Sequence, residues 1–297
     1  MNTTTPKPIS QTRAILGEGP VWHRDHLLWI DIEGCKVIDL DPATGIEKMT
    51  QLPERIGCVW PCADSESLLC GLQSGFAMLD PATGTLTPIE NLESHLPSTR
   101  FNDGKCDPLG RFWAGTMDMD EKAPIGSLYM LDHQRQVTRQ WHSVTVSNGL
   151  AWDLAGERPT FYYIDSPTRQ VVAFDYDPGS GNINNRRVAI TIPEGEGFPD
   201  GMTIDSEGNL WIALWQGWGI VCYQPKTGER LGKIDLPVEK VTSCTFGGPD
   251  LSDLYITTAS IGLDDDARAA QPDAGAVFHV KTDSAGLPTT LFRSDLK

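Results

Sequence analysis

Four residues far apart in the chain share one local setting. Asn102-Asp103-Gly104, Asn148-Gly149-Leu150 and Asp200-Gly201-Met202 each place a polar residue and a glycine ahead of an apolar run, and Glu18 heads Gly19-Pro20-Val21-Trp22 in the same way. Carboxylate and amide oxygens are hard donors, suited to a divalent ion such as Ca²⁺, Mg²⁺ or Mn²⁺. Two carboxylates and two amides gathered away from water would be electrostatically costly without a cation among them. Singly, however, Asn-Gly and Asp-Gly are ordinary hairpin dipeptides. Only a fold that brings all four together turns them into a site.

The elements that would do so are short. His26–Ile32, Ser67–Leu72, Arg111–Met117, Phe161–Ser166, Asn209–Trp215 and Asp253–Ala259 are apolar runs rich in β-branched and aromatic residues, broken by Gly, Pro, Asp and Asn. Each is too short for a helix, and no stretch repeats apolar residues at the helical spacing over three turns, so the chain reads as all-β. Four segments follow one plan of strand, polar turn, strand and a closing turn: IDIEGCKVIDLDPATG, CGLQSGFAMLDPATG, TFYYIDSPTRQVVAFDYDPGSG and LWIALWQGWGIVCYQPKTG. Pro presets φ early in that closing turn and Gly supplies a positive φ later. Units begin near Glu18, Gly57, Asn102, Asn148, Asp200 and Ser243, at offsets of 39, 45, 46, 52 and 43 residues. Six such units, each of about four strands, predict a six-bladed β-propeller occupying residues 1–297 as one domain. In a propeller the start of every innermost strand faces the central channel, so Glu18, Asn102, Asn148 and Asp200 are expected to meet there around a divalent metal.

Composition bounds the partners. Apolar residues make up 39% of the chain, glycines number 29, and charged residues are 22%, as in a protein with a sizeable core. Lys and Arg total 24 against 40 Asp and Glu, a net charge of −16, which argues against nucleic acid or an anionic membrane as partner. The first residues, MNTTTPKPISQ, lack the apolar core of a secretory signal, and no apolar run approaches the length that spans a bilayer. The seven cysteines are odd in number and include no CxxC, which fits free thiols in a reducing cytoplasm. Asn2-Thr3-Thr4 matches a glycosylation acceptor that carries no meaning without secretion. Nothing in the surface composition calls for an oligomer, so a monomer or weak oligomer is expected.

Other motifs offer no rival chemistry. The sequence contains no GxSxG, HExxH, P-loop or GxGxxG followed by an acidic residue. His23 and His26, three apart on a short β segment, should point to opposite faces near a strand end. Asp264-Asp265-Asp266 lacks the Gly and terminal Glu of a calcium loop and reads as a solvated loop. Trp29, Trp113, Trp152 and Trp211 fall in the strand repeats and read as core, whereas Trp215 and Trp218 are candidates to line a sugar site.

GEGPVW, RFNDGKCDPLGRFWAGTM, SNGLAW and PDGMTIDSEGNLWIALW together resemble the SMP-30/gluconolactonase/LRE-like family, in the family's order, over about residues 13 to 282. The resemblance implies a six-bladed propeller with one divalent metal at the channel mouth. It implies Glu18, Asn148 and Asp200 as metal ligands, with Asn102 close by, ligating directly or through water. It also implies substrate contacts from Arg100, Asn102 and, in the acidic loop after Gly115-Thr116-Met117, Asp120. The activity implied is hydrolysis of a sugar lactone such as xylono-, arabinono-, galactono- or gluconolactone to the aldonic acid. Asp200 is then the candidate general base, unless the ion itself supplies a hydroxide. The ion is left open among Ca²⁺, Zn²⁺, Mn²⁺, Mg²⁺ and Fe²⁺. Two other readings stand beside this one: a propeller hydrolase of phosphotriesters or other esters, and a non-enzymatic metal-binding propeller.

Overall fold

The computed structural model describes residues 3–155 and 158–294; Asn2 of the Asn-Thr-Thr triplet lies outside the described residues. The strands form six four-stranded antiparallel sheets. The first strands of the sheets are Gly17–His23, Ile56–Pro61, Thr99–Cys106, Ser147–Asp153, Phe198–Ile204 and Val241–Gly247, and these define blades 1 to 6. Each of these strands packs against the first strand of both neighbouring sheets, so the six close into a ring. The chain is a six-bladed β-propeller, as the repeat predicts.

Burial follows strand order within a blade. In blade 4, Ser147–Asp153 is buried along its whole length and Thr160–Asp165 nearly so, whereas the outermost strand Ile183–Thr191 is largely exposed. Inner strands are covered on both faces by adjacent blades, which is why they read as nearly continuous apolar runs instead of alternating ones. Between blades sit the repeat tryptophans. Trp113 and Trp211 donate their indole N–H to Asp107 and Asp205 at 3.1 and 3.0 Å, and Trp29 and Trp152 are likewise core. All seven cysteines are free thiols, six of them buried.

The structure departs from the sequence reading at three places. The outermost strand of blade 6 is Lys7–Pro8 from the N-terminal end, pairing with Phe278–Lys281. This closure clasps the ring non-covalently, and a two-residue strand leaves no periodic trace in the sequence. Asp265–Ala270 forms a short helix where a loop was expected, because the Asp264 carboxylate caps it by accepting from the Ala267 amide at 2.8 Å. His23 and His26 belong to two strands, joined by Arg24 and Asp25 with φ of 50° and 62°, a two-residue hairpin turn. They are therefore directly opposed at a strand end on one face, and the His26 ring binds the Asp39 carboxylate at 2.7 Å. Among the described residues no helix is long and apolar enough to cross a membrane.

Candidate active site at the channel mouth

Every innermost strand slips register at the same level. Pairing with the second strand shifts between Glu18 and Val21, Ile56 and Cys58, Phe101 and Gly104, Asn148 and Leu150, Pro199 and Met202, and Val241 and Ser243. A bulge leaves residues out of the ladder and re-aims their side chains. Glu18, Asn102, Asn148 and Asp200 lie in or beside these bulges. The Asn-Gly and Asp-Gly pairs are thus bulged strand residues, not hairpin turns. Their glycines let neighbouring blades close up at the axis: a β-carbon on Gly149 would stand 2.9 Å from the Asp200 carbonyl oxygen and 2.8 Å from Met202 Cγ. In blade 2 the equivalent residue is Gly57, where any side chain would collide with the Phe101 and Asn102 carbonyl groups. Blade 6 offers Thr242, whose hydroxyl donates to the Gly17 carbonyl at 2.6 Å. At the level of Glu18 and Asn148, blades 2 and 6 carry the apolar Ile56 and Val241, so the oxygen-bearing side chains at this level come from blades 1, 3, 4 and 5.

Glu18, Arg100, Asn102, Asp103, Asn148 and Asp200 are between 4% and 8% exposed. Arg100 Nη1 donates to Asn102 Oδ1 at 2.7 Å and to the Phe101 carbonyl at 3.0 Å. Asn102 Nδ2 donates to the Ser147 carbonyl at 2.7 Å and to Asn148 Oδ1 at 3.0 Å. The Glu18 carboxylate accepts the amide of Gly19 at 2.9 Å, and Asp103 that of Gly104 at 2.7 Å. Deeper in the channel Lys105 Nζ donates to the Met202 carbonyl at 2.9 Å.

These buried charges strain against one another. Burial pushes the Glu18 carboxyl up to about 8, the Asp103 charge adds to the rise, and the Gly19 amide and Arg100 oppose it. Asp200 is held well above the usual carboxylate range by burial first and then by the charges of Glu18, Asp103 and Glu121, with only the Gly201 amide opposing. Asp103 is raised by burial against the pull of Lys105, and burial lowers both Lys105 and Arg100. Among the described residues Asp200 forms no ion pair, and a bound cation would bring Glu18 and Asp200 back toward ordinary carboxylate behaviour.

The donor set fits a hard ion. It consists of two carboxylates and amide oxygens; among the described residues no cluster of three or more His, Cys, Asp or Glu side chains is poised for a metal. Burial pushes the nearby Cys244 thiol up to about 12 and raises Cys58 well above the usual thiol range, so neither offers a thiolate.

The acidic loop after Met117 is shaped by Asp118, which accepts the amides of Asp120, Lys122 and Ala123 at 3.3, 3.0 and 2.8 Å. Asp120 is exposed on this loop. Its neighbour Glu121, with φ of 58°, is the loop carboxylate whose charge acts on both Arg100 and Asp200. Of the two candidate sugar-facing tryptophans, Trp215 is covered by Lys240, 5.2 Å from the ring centre, and Trp218 is 43% exposed.

Residues 16–260 match the SMP-30/gluconolactonase/LRE-like family model. The chain belongs to this family. Regucalcin from Danio rerio is 43% identical over 269 residues, covering 89% of this chain and 90% of the relative. The "Putative sugar lactone lactonase YvrE" of Bacillus subtilis is 36% identical over 289 residues, covering 97% and 98% of the two chains. The crystal structure of a calcium-binding protein, regucalcin, from Agrobacterium tumefaciens superposes with a TM-score of 0.90 at 29% identity, over 96% of each chain. Lys105, Ser166 and the Ser147 carbonyl, which bond around the axial amides and Met202, are the site groups that the motif reading left out. Lys105 stands inside a quoted motif and could have been read as an inward-facing cation, but nothing in the sequence connects Asn148 to its partner.

Proposed function

We propose that this protein hydrolyses a sugar lactone to the open-chain aldonic acid and depends on one divalent cation held by Glu18, Asn148 and Asp200. The observation that carries this reading is the pair of buried carboxylates, Glu18 and Asp200, set at matching bulges of the innermost strands beside the buried amides of Asn102 and Asn148. The relatedness to the "Putative sugar lactone lactonase YvrE" supports the activity, and that to the calcium-binding protein regucalcin supports the cation. When bound, such a cation polarises an ester carbonyl and stabilises the negative charge that develops on its oxygen. Asp200 serves as ligand and as the acceptor of the proton from the attacking water. The water oxygen bonds to the acyl carbon, the acyl–ring oxygen bond breaks, and the ring oxygen takes back the proton from Asp200 to become the hydroxyl of the open-chain acid, which ionises to the carboxylate. Arg100 and Asn102 hold ring hydroxyls by hydrogen bonds, and the acidic loop adds a contact from Asp120 or from the adjacent Glu121.

The test is acid release from a panel of five- and six-membered sugar lactones, measured above spontaneous hydrolysis, with phosphotriesters and simple esters as controls. Chelation should abolish turnover, and Ca²⁺, Mn²⁺, Mg²⁺ or Zn²⁺ should restore it. Unchanged turnover in protein shown metal-free by elemental analysis would overturn the cation requirement. Preference for a phosphotriester or simple ester would overturn the substrate class. The loaded protein should also melt later, since an ion at 100 times its Kd adds about 2.7 kcal/mol of stability.

A further inference from the structure

Asn148 can serve as a ligand only if its oxygen, and not its nitrogen, faces the axis. The hydrogen bonds around it fix that choice. Arg100 is a donor only, so Asn102 must present Oδ1 to it, at 2.7 Å, and turn its Nδ2 toward Asn148. Asn148 then receives that donor on Oδ1 at 3.0 Å and must turn its own Nδ2 away. The partner waiting there is Ser166, whose Oγ accepts from Asn148 Nδ2 at 2.8 Å and donates to the Pro199 carbonyl at 2.6 Å. The carbonyl at the far end only accepts. A donor-only group at one end and an acceptor-only group at the other give the whole chain a single polarity.

Ser166 lies in the turn Ser166–Thr168 between the second and third strands of blade 4, and it is 9% exposed. Pro199 directly precedes Asp200, so the hydroxyl also spans from blade 4 to the strand that carries the carboxylate. We propose that Ser166 is a positioning residue that anchors the nitrogen side of the Asn148 amide, whose oxygen side Asn102 sets, and ties Asn148 to the strand bearing Asp200. The assignment rests on the cation reading given above. Replacing Ser166 by Ala removes the acceptor for Asn148 Nδ2 and leaves the Pro199 carbonyl without its donor. The amide is then held only at its oxygen, by Asn102 Nδ2, and loses the second restraint that fixes its plane.

The experiment is calorimetric titration of the chelator-stripped protein with Ca²⁺ and with Mn²⁺, comparing wild type, Ser166→Ala and Ser166→Thr. Ser166→Ala should weaken binding by about 10- to 100-fold, as loss of a ligand-orienting partner does elsewhere. Ser166→Thr, which keeps the hydroxyl, should bind more tightly than Ser166→Ala. The melting temperature of each stripped variant separates this from a packing defect, which would lower that temperature without weakening the ion's affinity. If Ser166→Ala does not fold, Ser166→Cys, which keeps the shape with a weak acceptor, takes its place with the same expectation. Wild-type affinity in the Ala or Cys variant overturns the proposal alone. Failure of the wild type itself to bind either ion overturns the cation reading and the proposal with it.

Discussion

Asn102 Nδ2 bonds at once to the Ser147 carbonyl, 2.7 Å away, and to Asn148 Oδ1, 3.0 Å away, so one amide joins blades 3 and 4 at the axis. Arg100 holds the other end of that amide at 2.7 Å. Arg100 is thus a support of the site as well as a candidate substrate contact. Arg100→Ala should raise KM for a sugar lactone by about 10-fold or more, the worth of a hydrogen bond to a charged group. It should also weaken cation binding, because Asn102 is released. Steady-state kinetics together with ion titration check this; a raised KM with unaltered ion affinity would confine Arg100 to the substrate.

Asp200→Asn separates ligand from base. The amide keeps an oxygen of similar size and removes the charge and the basicity. Turnover at saturating ion should stay about 10²- to 10⁴-fold below wild type, the usual contribution of a positioned base. Asn148→Ala should behave differently, with activity recovering as the ion is raised. Near-wild-type turnover of Asp200→Asn at saturating ion would remove Asp200 from the proton transfer.

The raised carboxyl of Glu18 makes the stripped protein sensitive to pH. Its value is about 8 in the folded chain against 4.5 in the unfolded one, so between these limits the folded state binds more protons. Stability from this group is fully present below about 4.5 and is lost as pH rises through about 8. Melting temperatures of the chelated protein across that window should fall more steeply for wild type than for Glu18→Gln. Parallel curves for the two proteins would count against this account.

The loop after Met117 offers a choice between two adjacent acids. Both are exposed and both amides are held by Asp118, but Glu121 is the one whose charge acts on Arg100 and Asp200. Glu121→Gln should alter KM for the lactone, and Asp120→Asn, which removes a charge that does not reach Arg100 or Asp200 as strongly, should leave it within about two-fold. The reverse result would return the role to Asp120, where the family motif puts it.

The sequence by itself determined the blade count and the identity of the axial residues. Repeats are legible because each blade must bury the same two faces, so hydrophobic runs and closing turns recur in phase. Glu18, Asn102, Asn148 and Asp200 stood out because they hold one position in that repeat. Tertiary structure alone decided how they are held. The register shifts that re-aim them depend on pairing with a second strand, and the Arg100–Asn102–Asn148–Ser166–Pro199 chain joins residues up to 99 positions apart. No local pattern encodes it, since a single hydroxyl in a turn and a backbone carbonyl carry no periodic signal. The closing strand Lys7–Pro8 was invisible for the same reason: two residues complete blade 6 only because the ring brings the chain's ends together.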